Sequence, residues 1–219
     1  MRRVILAAVV ICIMVVCGSC SGKRPSKLTT SESKLAAQVG FDRSVMTAVM
    51  RRTDGKIVRL KGLDQGGYET TLKGISFGVP ENEVESTLDD LRPELAAKGY
   101  FVFLAEMNFG EKPDQIGVMK TKDQFEVVRA RQTNGINYDI DNKAVIARLR
   151  QWDKLYGIEI TGVGMDWVQF SLKRLPKDMT KFAKEVYKFC PDSVDQGPGD
   201  ISDLEDSMRK AKEVYLWWD

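Results

Sequence analysis

Fourteen consecutive apolar residues, Val4 to Cys17, follow Arg2 and Arg3, and no other stretch of the 219-residue chain narrows its fate as much. Crossing a hydrocarbon core takes about 20 apolar residues at a rise of about 1.5 Å each, so this run is short for a comfortable membrane helix. A charged start, an apolar middle and small residues at Gly18 and Ser19 instead have the order of an export signal. The remainder has a globular composition, with 43% hydrophobic residues and 33 Lys+Arg against 31 Asp+Glu. Histidine is absent, which removes Ser-His-Asp and Cys-His nucleophile activation and histidine-bearing zinc sites.

The tail Cys17-Gly18-Ser19-Cys20 resembles the bacterial lipoprotein signal, in which a cysteine after two small residues is acylated and begins the mature chain. Cys17 stands where that signal usually has Leu. The resemblance implies a signal peptide over 1–19, lipidation at Cys20, palmitate-type acyl chains, and a body held in the periplasm or another extracytoplasmic space. The alternatives are an uncleaved anchor helix, or ordinary cleavage near Ser19. Acyl chains contribute about 0.8 kcal/mol per buried methylene, so several of them make attachment effectively permanent. Ser21 is not an aspartate retention signal, which slightly favours an outer membrane over the cytoplasmic one. Residues 20–34, rich in Ser, Thr and Lys, read as a polar tether. Loss of residues 1–19 leaves 31 bases and 31 acids, and beyond residue 34 there are 27 bases and 30 acids. That balance offers no basic face for nucleic acid. With Cys20 acylated, Cys190 is left without a disulfide partner, so stability must come from a conventional core.

From residue 35 on, the hydrophobic pattern predicts an α+β fold, a mixed or antiparallel sheet with helices packed on it. Lys56–Lys61 and Tyr68–Phe77 are strand candidates. Val84, Leu88, Leu91 and Leu95 form a helical stripe, with Pro93 expected to kink or split the helix and Gly99 to end it. Tyr100–Ala105 is a continuous apolar run, as in a strand covered on both faces; Ile116–Met119 follows. Thr121 and Gln124 have capping-box spacing ahead of Phe125 and Val128. The order then recurs: a helix capped by Asp141 or Asn142 and closed by Gly157, strands Ile158–Val163 and Trp167–Lys173, and a helix after Lys177-Asp178. Gly99 against Gly157 and Lys122-Asp123 against Lys177-Asp178 align two helix-strand-strand-helix units at offsets of 58 and 55 residues; a coincidence of hydrophobic pattern accounts for the likeness about as well as two similar layers sharing a sheet. A polar loop from Asp192, a helix opened by Ser202 and Glu205, and an aromatic strand at Tyr215–Trp218 complete the pattern.

Three segments, Asn134-Gly135-Ile136-Asn137-Tyr138, Phe189-Cys190-Pro191-Asp192 with Gln196-Gly197, and Trp217-Trp218-Asp219, together resemble a bacterial family known as domain of unknown function 4253. Arg150 and Trp152 through Gly157 also fit its pattern. The resemblance covers roughly the last 110 residues and implies a C-terminal domain over 110–219 preceded by an N-terminal α+β part over 35–109. It implies no reaction.

Cys190 falls at a helix C-terminus beside Asp192, where the dipole disfavours a thiolate, and reads as a structural cysteine. Asn137, Asp139 and Asp141 match three ligand spacings of a calcium loop, but Asn142 and Arg148 stand where Gly and Glu are needed. No metal or cofactor site is read from the sequence. Asp192 and Asp219 are the carboxylates that could share acid–base work if they converge; otherwise Asp219 calls for a cationic partner such as Arg150. Trp217 and Trp218 should point to opposite faces of a strand. Asn137, Tyr138, Asp192, Gln196, Trp217, Trp218 and Asp219 are therefore the candidate binding surface of a non-catalytic, membrane-anchored interaction module for a protein or small-molecule ligand. The alternatives are a carboxylate-based hydrolase and an immunity-type protector against a toxin.

Overall fold

The computed structural model describes residues 27–64 and 66–219; the expected signal peptide and Cys20 lie outside the described residues. Within them no helix is long and apolar enough to cross a membrane. The fold is α+β, built on one seven-stranded mixed sheet. Its strands are β1 (Val58–Leu63), β2 (Glu69–Val79), β3 (Phe101–Glu106), β4 (Asp114–Met119), β5 (Ile158–Val163), β6 (Trp167–Leu172) and β7 (Glu213–Trp217), in the order β1-β2-β4-β3-β5-β6-β7. All pairings are antiparallel except β3 with β5, which meet in parallel at the centre. That central place explains the unbroken apolar run in β3. Phe103 and Ala105 enter one core while Val102 and Leu104 enter the other.

Helices α1 (Thr30–Val39), α2 (Arg43–Met50) and α3 (Val84–Ala96) bury Val45, Met46, Leu91 and Leu95 against one face of the β1–β4 half. The opposite face carries α4 (Gln124–Arg131), α5 (Asn142–Tyr156), α6 (Met179–Phe189), the single turn α7 (Asp192–Asp195) and α8 (Ile201–Ala211). Their core is centred on Trp152, whose ring meets Phe170, Phe182 and Phe189 at centroid distances of 5.8, 5.5 and 5.8 Å.

Several local expectations are corrected. The tether expected to residue 34 is already helical from Thr30, because Thr29 and Glu32 form a reciprocal capping box. Pro93 neither splits nor ends α3. It sits exposed in the last turns, so the Asp89 carbonyl it leaves unbonded faces the solvent side. Asp123 rather than Thr121 caps α4, and Asp200 rather than Ser202 caps α8, since each aspartate accepts a backbone N–H two residues ahead. Across residue 109 the sheet is continuous, with β3 between β4 and β5. Both parts share one layer of strands.

Three of the strand pairs carry a β-bulge, and each bulge meets an arginine. Extra residues fall between Leu72 and Gly74 in β2, at Ala105 in β3 and at Thr161 in β5. Bulged residues drop out of the ladder and strand their carbonyls. Arg59 donates to the Leu72 carbonyl at 2.8 Å, Arg131 to that of Ala105 at 3.0 Å and Arg92 to that of Thr161 at 2.9 Å. Ala105 and Thr161 are 56 residues apart, an offset between those of the two sequence marks, and each lies in a strand next to the centre of the sheet.

A two-fold axis between β3 and β5, parallel to both, would exchange the units and swap the faces of the sheet. It relates α3 on one face to α5 on the other. It fails at α6, which joins α4 and α5 on the same face. The far side of β5–β7 therefore has no helix across it among the described residues.

Candidate binding surface

The uncovered half-sheet is polar by alternation. In β6, Val168, Phe170 and Leu172 are buried while Gln169 and Ser171 are half-buried on the other side; in β7, Val214 and Leu216 are buried, and Glu213, Tyr215 and Trp217 face outward. The pairs Trp167 with Trp217, Gln169 with Tyr215 and Ser171 with Glu213 stand opposite one another, so this side is polar at one end and aromatic at the other, where Trp167 is buried and Trp217 half-buried against the core under α1–α3. Trp167 lies across the backbone of β5 and its turn. A Cβ on Gly162 would come within 2.6 Å of its ring and one on Gly164 within 2.0 Å, so only glycine lets this indole lie flat. Tyr215 stacks on it at 5.9 Å, and burial first, then nearby Asp166 and Cys190, push the Tyr215 phenol up to about 12.

A cleft of about 600 Å³ runs between α3 and this half-sheet, with Glu85, Asp89, Glu159 and Glu213 among its carboxylates and Arg92 as its lining cation. Arg92 is tied to the Val102 and Thr161 carbonyls at 3.3 and 2.9 Å. Burial lowers its pKa against the raising effect of Glu159, Asp89 and Glu213. A second cleft, of about 340 Å³, lies past the Gln169–Glu213 hydrogen bond of 3.1 Å, between β7, the loop after α7, and α8.

The seven residues singled out by sequence do meet, though not all as a surface. Asp192, 4% exposed, is the hub: it accepts from the Tyr138 hydroxyl at 2.6 Å, the Gln196 amide at 3.1 Å and the Asp219 backbone N–H at 3.0 Å. Asn137 donates to the Asp219 carbonyl. Burial alone would raise the Asp192 carboxyl, but the bonds from Tyr138, Asp219 and Gln196 outweigh it and hold its pKa below the ordinary value. Its own bond to Asp192 pushes the Tyr138 phenol up to about 12. Trp218 is 3% exposed and belongs to the core, packed on Gly135 and bonded through Nε1 to the Phe189 carbonyl at 3.3 Å. Trp217 is the tryptophan left at the open face.

Arg150 is not the partner of Asp219. It pairs with Asp123 at 3.0 Å and stacks over Phe125 at 4.4 Å, because its position on α5 faces α4. Cys190 is fully buried, and burial pushes its thiol up to about 11 against hydrogen bonds from Trp217 and Ser193. Its Sγ donates to the Trp217 carbonyl at 3.0 Å and accepts from the Trp217 N–H at 3.3 Å. A carboxylate held ionised with both oxygens engaged is placed to accept hydrogen bonds, the opposite of what a general acid needs at neutral pH.

Residues missed by sequence reasoning are Arg92, Trp167, Gln169, Glu213 and Tyr215. The outward residues of β6 and β7 had a signal in the alternation of Val168-Gln169-Phe170-Ser171-Leu172 and Glu213-Val214-Tyr215-Leu216, which contrasts with the continuous apolar run of β3; Arg92, on α3, had none.

Residues 115–219 match the model of a family described as domain of unknown function (DUF4253). The matched region takes in Asp192 and every residue bonded to it, together with β5–β7. It omits α3 and β3, and so Arg92. No curated protein and no solved structure matches the chain.

Proposed function

We propose that this chain is a lipid-anchored interaction protein of an extracytoplasmic space, which grips a partner on the open half of its sheet. The observation that carries the reading is the face of β5–β7 that no helix crosses among the described residues, where Gln169, Glu213, Tyr215 and the half-buried Trp217 form one polar and aromatic surface beside the buried Trp167. Rigid aromatics bring large contact area at small entropic cost, and the flanking amides and carboxylates supply orientation. The Asp192 hub supports the reading from below: it fixes Tyr138, Gln196 and the chain around Asp219, so the surface is preorganised rather than assembled on binding. The anchor rests on Arg2, Arg3, the short apolar run and Cys17-Gly18-Ser19-Cys20.

A photocrosslinking residue placed at Gln169, compared with one at exposed Lys184 on α6, tests the surface in living cells. Discrete adducts should arise from position 169 alone. Equal adducts from both positions, or none from 169, would end this reading. Palmitate labelling that disappears in Cys20→Ala is the expected behaviour of the anchor.

A further inference from the structure

The edge of β7 is partly unclaimed. Leu172 N–H donates to the Lys212 carbonyl at 2.8 Å and Trp218 N–H to that of Asp166 at 2.9 Å. In an antiparallel ladder, hydrogen-bonded positions alternate with positions whose backbone groups point away. Lys212, Val214, Leu216 and Trp218 thus pair with β6, and the N–H and C=O groups of Glu213, Tyr215 and Trp217 point outward. Those of Trp217 are both taken by the Cys190 sulfur. Those of Glu213 and Tyr215 make no hydrogen bond to another element among the described residues, and they border the 340 Å³ cleft.

We infer that this edge takes an extended segment of a partner protein as an eighth strand, with apolar side chains alternating with lysine or arginine. An added strand sends successive side chains to opposite faces. On one face they would meet the wall formed by Leu204, Met208 and Ala211 of α8. On the other they would meet Glu213 and the ring of Tyr215, a carboxylate and an aromatic face that both favour a cation. Asp192 and Glu213 are the charged residues lining this cleft, and no lysine or arginine lines it. Because Cys190 closes the ladder at Trp217, the graft is short, and its selectivity lies in the alternation. This inference rests on the reading of the β5–β7 half as a binding surface and specifies the partner.

The test uses the detergent-solubilised full chain and the capped peptide Lys-Val-Lys-Val-Lys, read by calorimetry and by the amide signals of Glu213 and Tyr215. Binding is expected, with those two amides newly protected from exchange. The same peptide N-methylated at alternate residues should bind at least about tenfold more weakly, the loss of about one backbone hydrogen bond or more. Glu213→Lys, with an unchanged circular dichroism spectrum, should weaken the parent peptide about tenfold. Absence of binding, N-methylated peptide within twofold of the parent, or equal binding of Glu-Val-Glu-Val-Glu would overturn the inference. Crosslinking from Gln169 in cells alongside any of those results would overturn the edge mode alone and leave the surface standing.

Discussion

Replacing Gly135 with alanine probes how the loop before α5 is joined to the last strand. Gly135 has φ of −124°, outside the left-handed region that favours glycine, so the cost is dominated by contact. A Cβ there would lie 2.6 Å from both Cγ and Cδ1 of Trp218 and 2.9 Å from its Nε1. Ordinary contact between such atoms is about 3.5–4.0 Å, so the indole must retreat by about 1 Å. It has little room to do so. Its backbone N–H is bonded to Asp166 at 2.9 Å, its Nε1 to Phe189 at 3.3 Å, and its ring is stacked edge-on against Phe189 at 5.7 Å. Overpacking of a tight core costs about 1–3 kcal/mol, and these restraints place Gly135→Ala toward the upper end, a fall in melting temperature of roughly 4–12 °C for a chain of this size. In a Trp218→Leu background the clash is gone, and Gly135→Ala should become neutral or gain about 0.4–1 kcal/mol from the stiffer unfolded chain. Urea unfolding of the four proteins in this cycle measures both numbers. A single-mutant cost below about 0.5 kcal/mol, or an equal cost in both backgrounds, would refute the packing argument.

Two further outcomes follow from the buried polar groups. With Asp192 depressed, its contribution to stability is present above the ordinary carboxylate range and lost as pH falls through the folded value; with Tyr138 raised to about 12, its contribution is present below about 10 and lost between there and about 12. The phenolate absorbance assigned by a Tyr138→Phe difference should therefore titrate near 12, and clearly lower in Asp192→Asn. An unshifted titration in the parent protein would contradict the hub. Arg131→Met should destabilise by about 2–3 kcal/mol in urea, since it orphans the bulge carbonyl of Ala105 and that of Lys61. Arg59→Met, whose side chain is only half-buried, should cost under about 1 kcal/mol, and equal losses would discard the difference.

The elements and their order were legible in the sequence because each is encoded by neighbours. Period-two and period-3.6 patterns mark which face is apolar, Asp141 and Asp178 cap with their own side chains, and Gly157 takes a positive φ one residue past α5. The meeting of the three family-like segments was partly legible as a resemblance, but its form was not. That Asp192 would be a buried acceptor, that Arg150 would turn to Asp123, and that Trp218 would sink while Trp217 stayed at the surface all depend on groups 27 or more residues away along the chain. Which side of the sheet α6 takes was likewise invisible. Its amphipathic pattern requires it to cover a face and does not say which one. The sequence alone determined that strands β6 and β7 would each have one aliphatic side and one polar and aromatic side, because alternation is a property of the strand itself. Only the tertiary arrangement decided that the polar and aromatic sides would lie together where no helix among the described residues crosses them, beside the edge of β7, since that requires α6, α7 and α8 to pack on the opposite face, and packing is settled between distant segments.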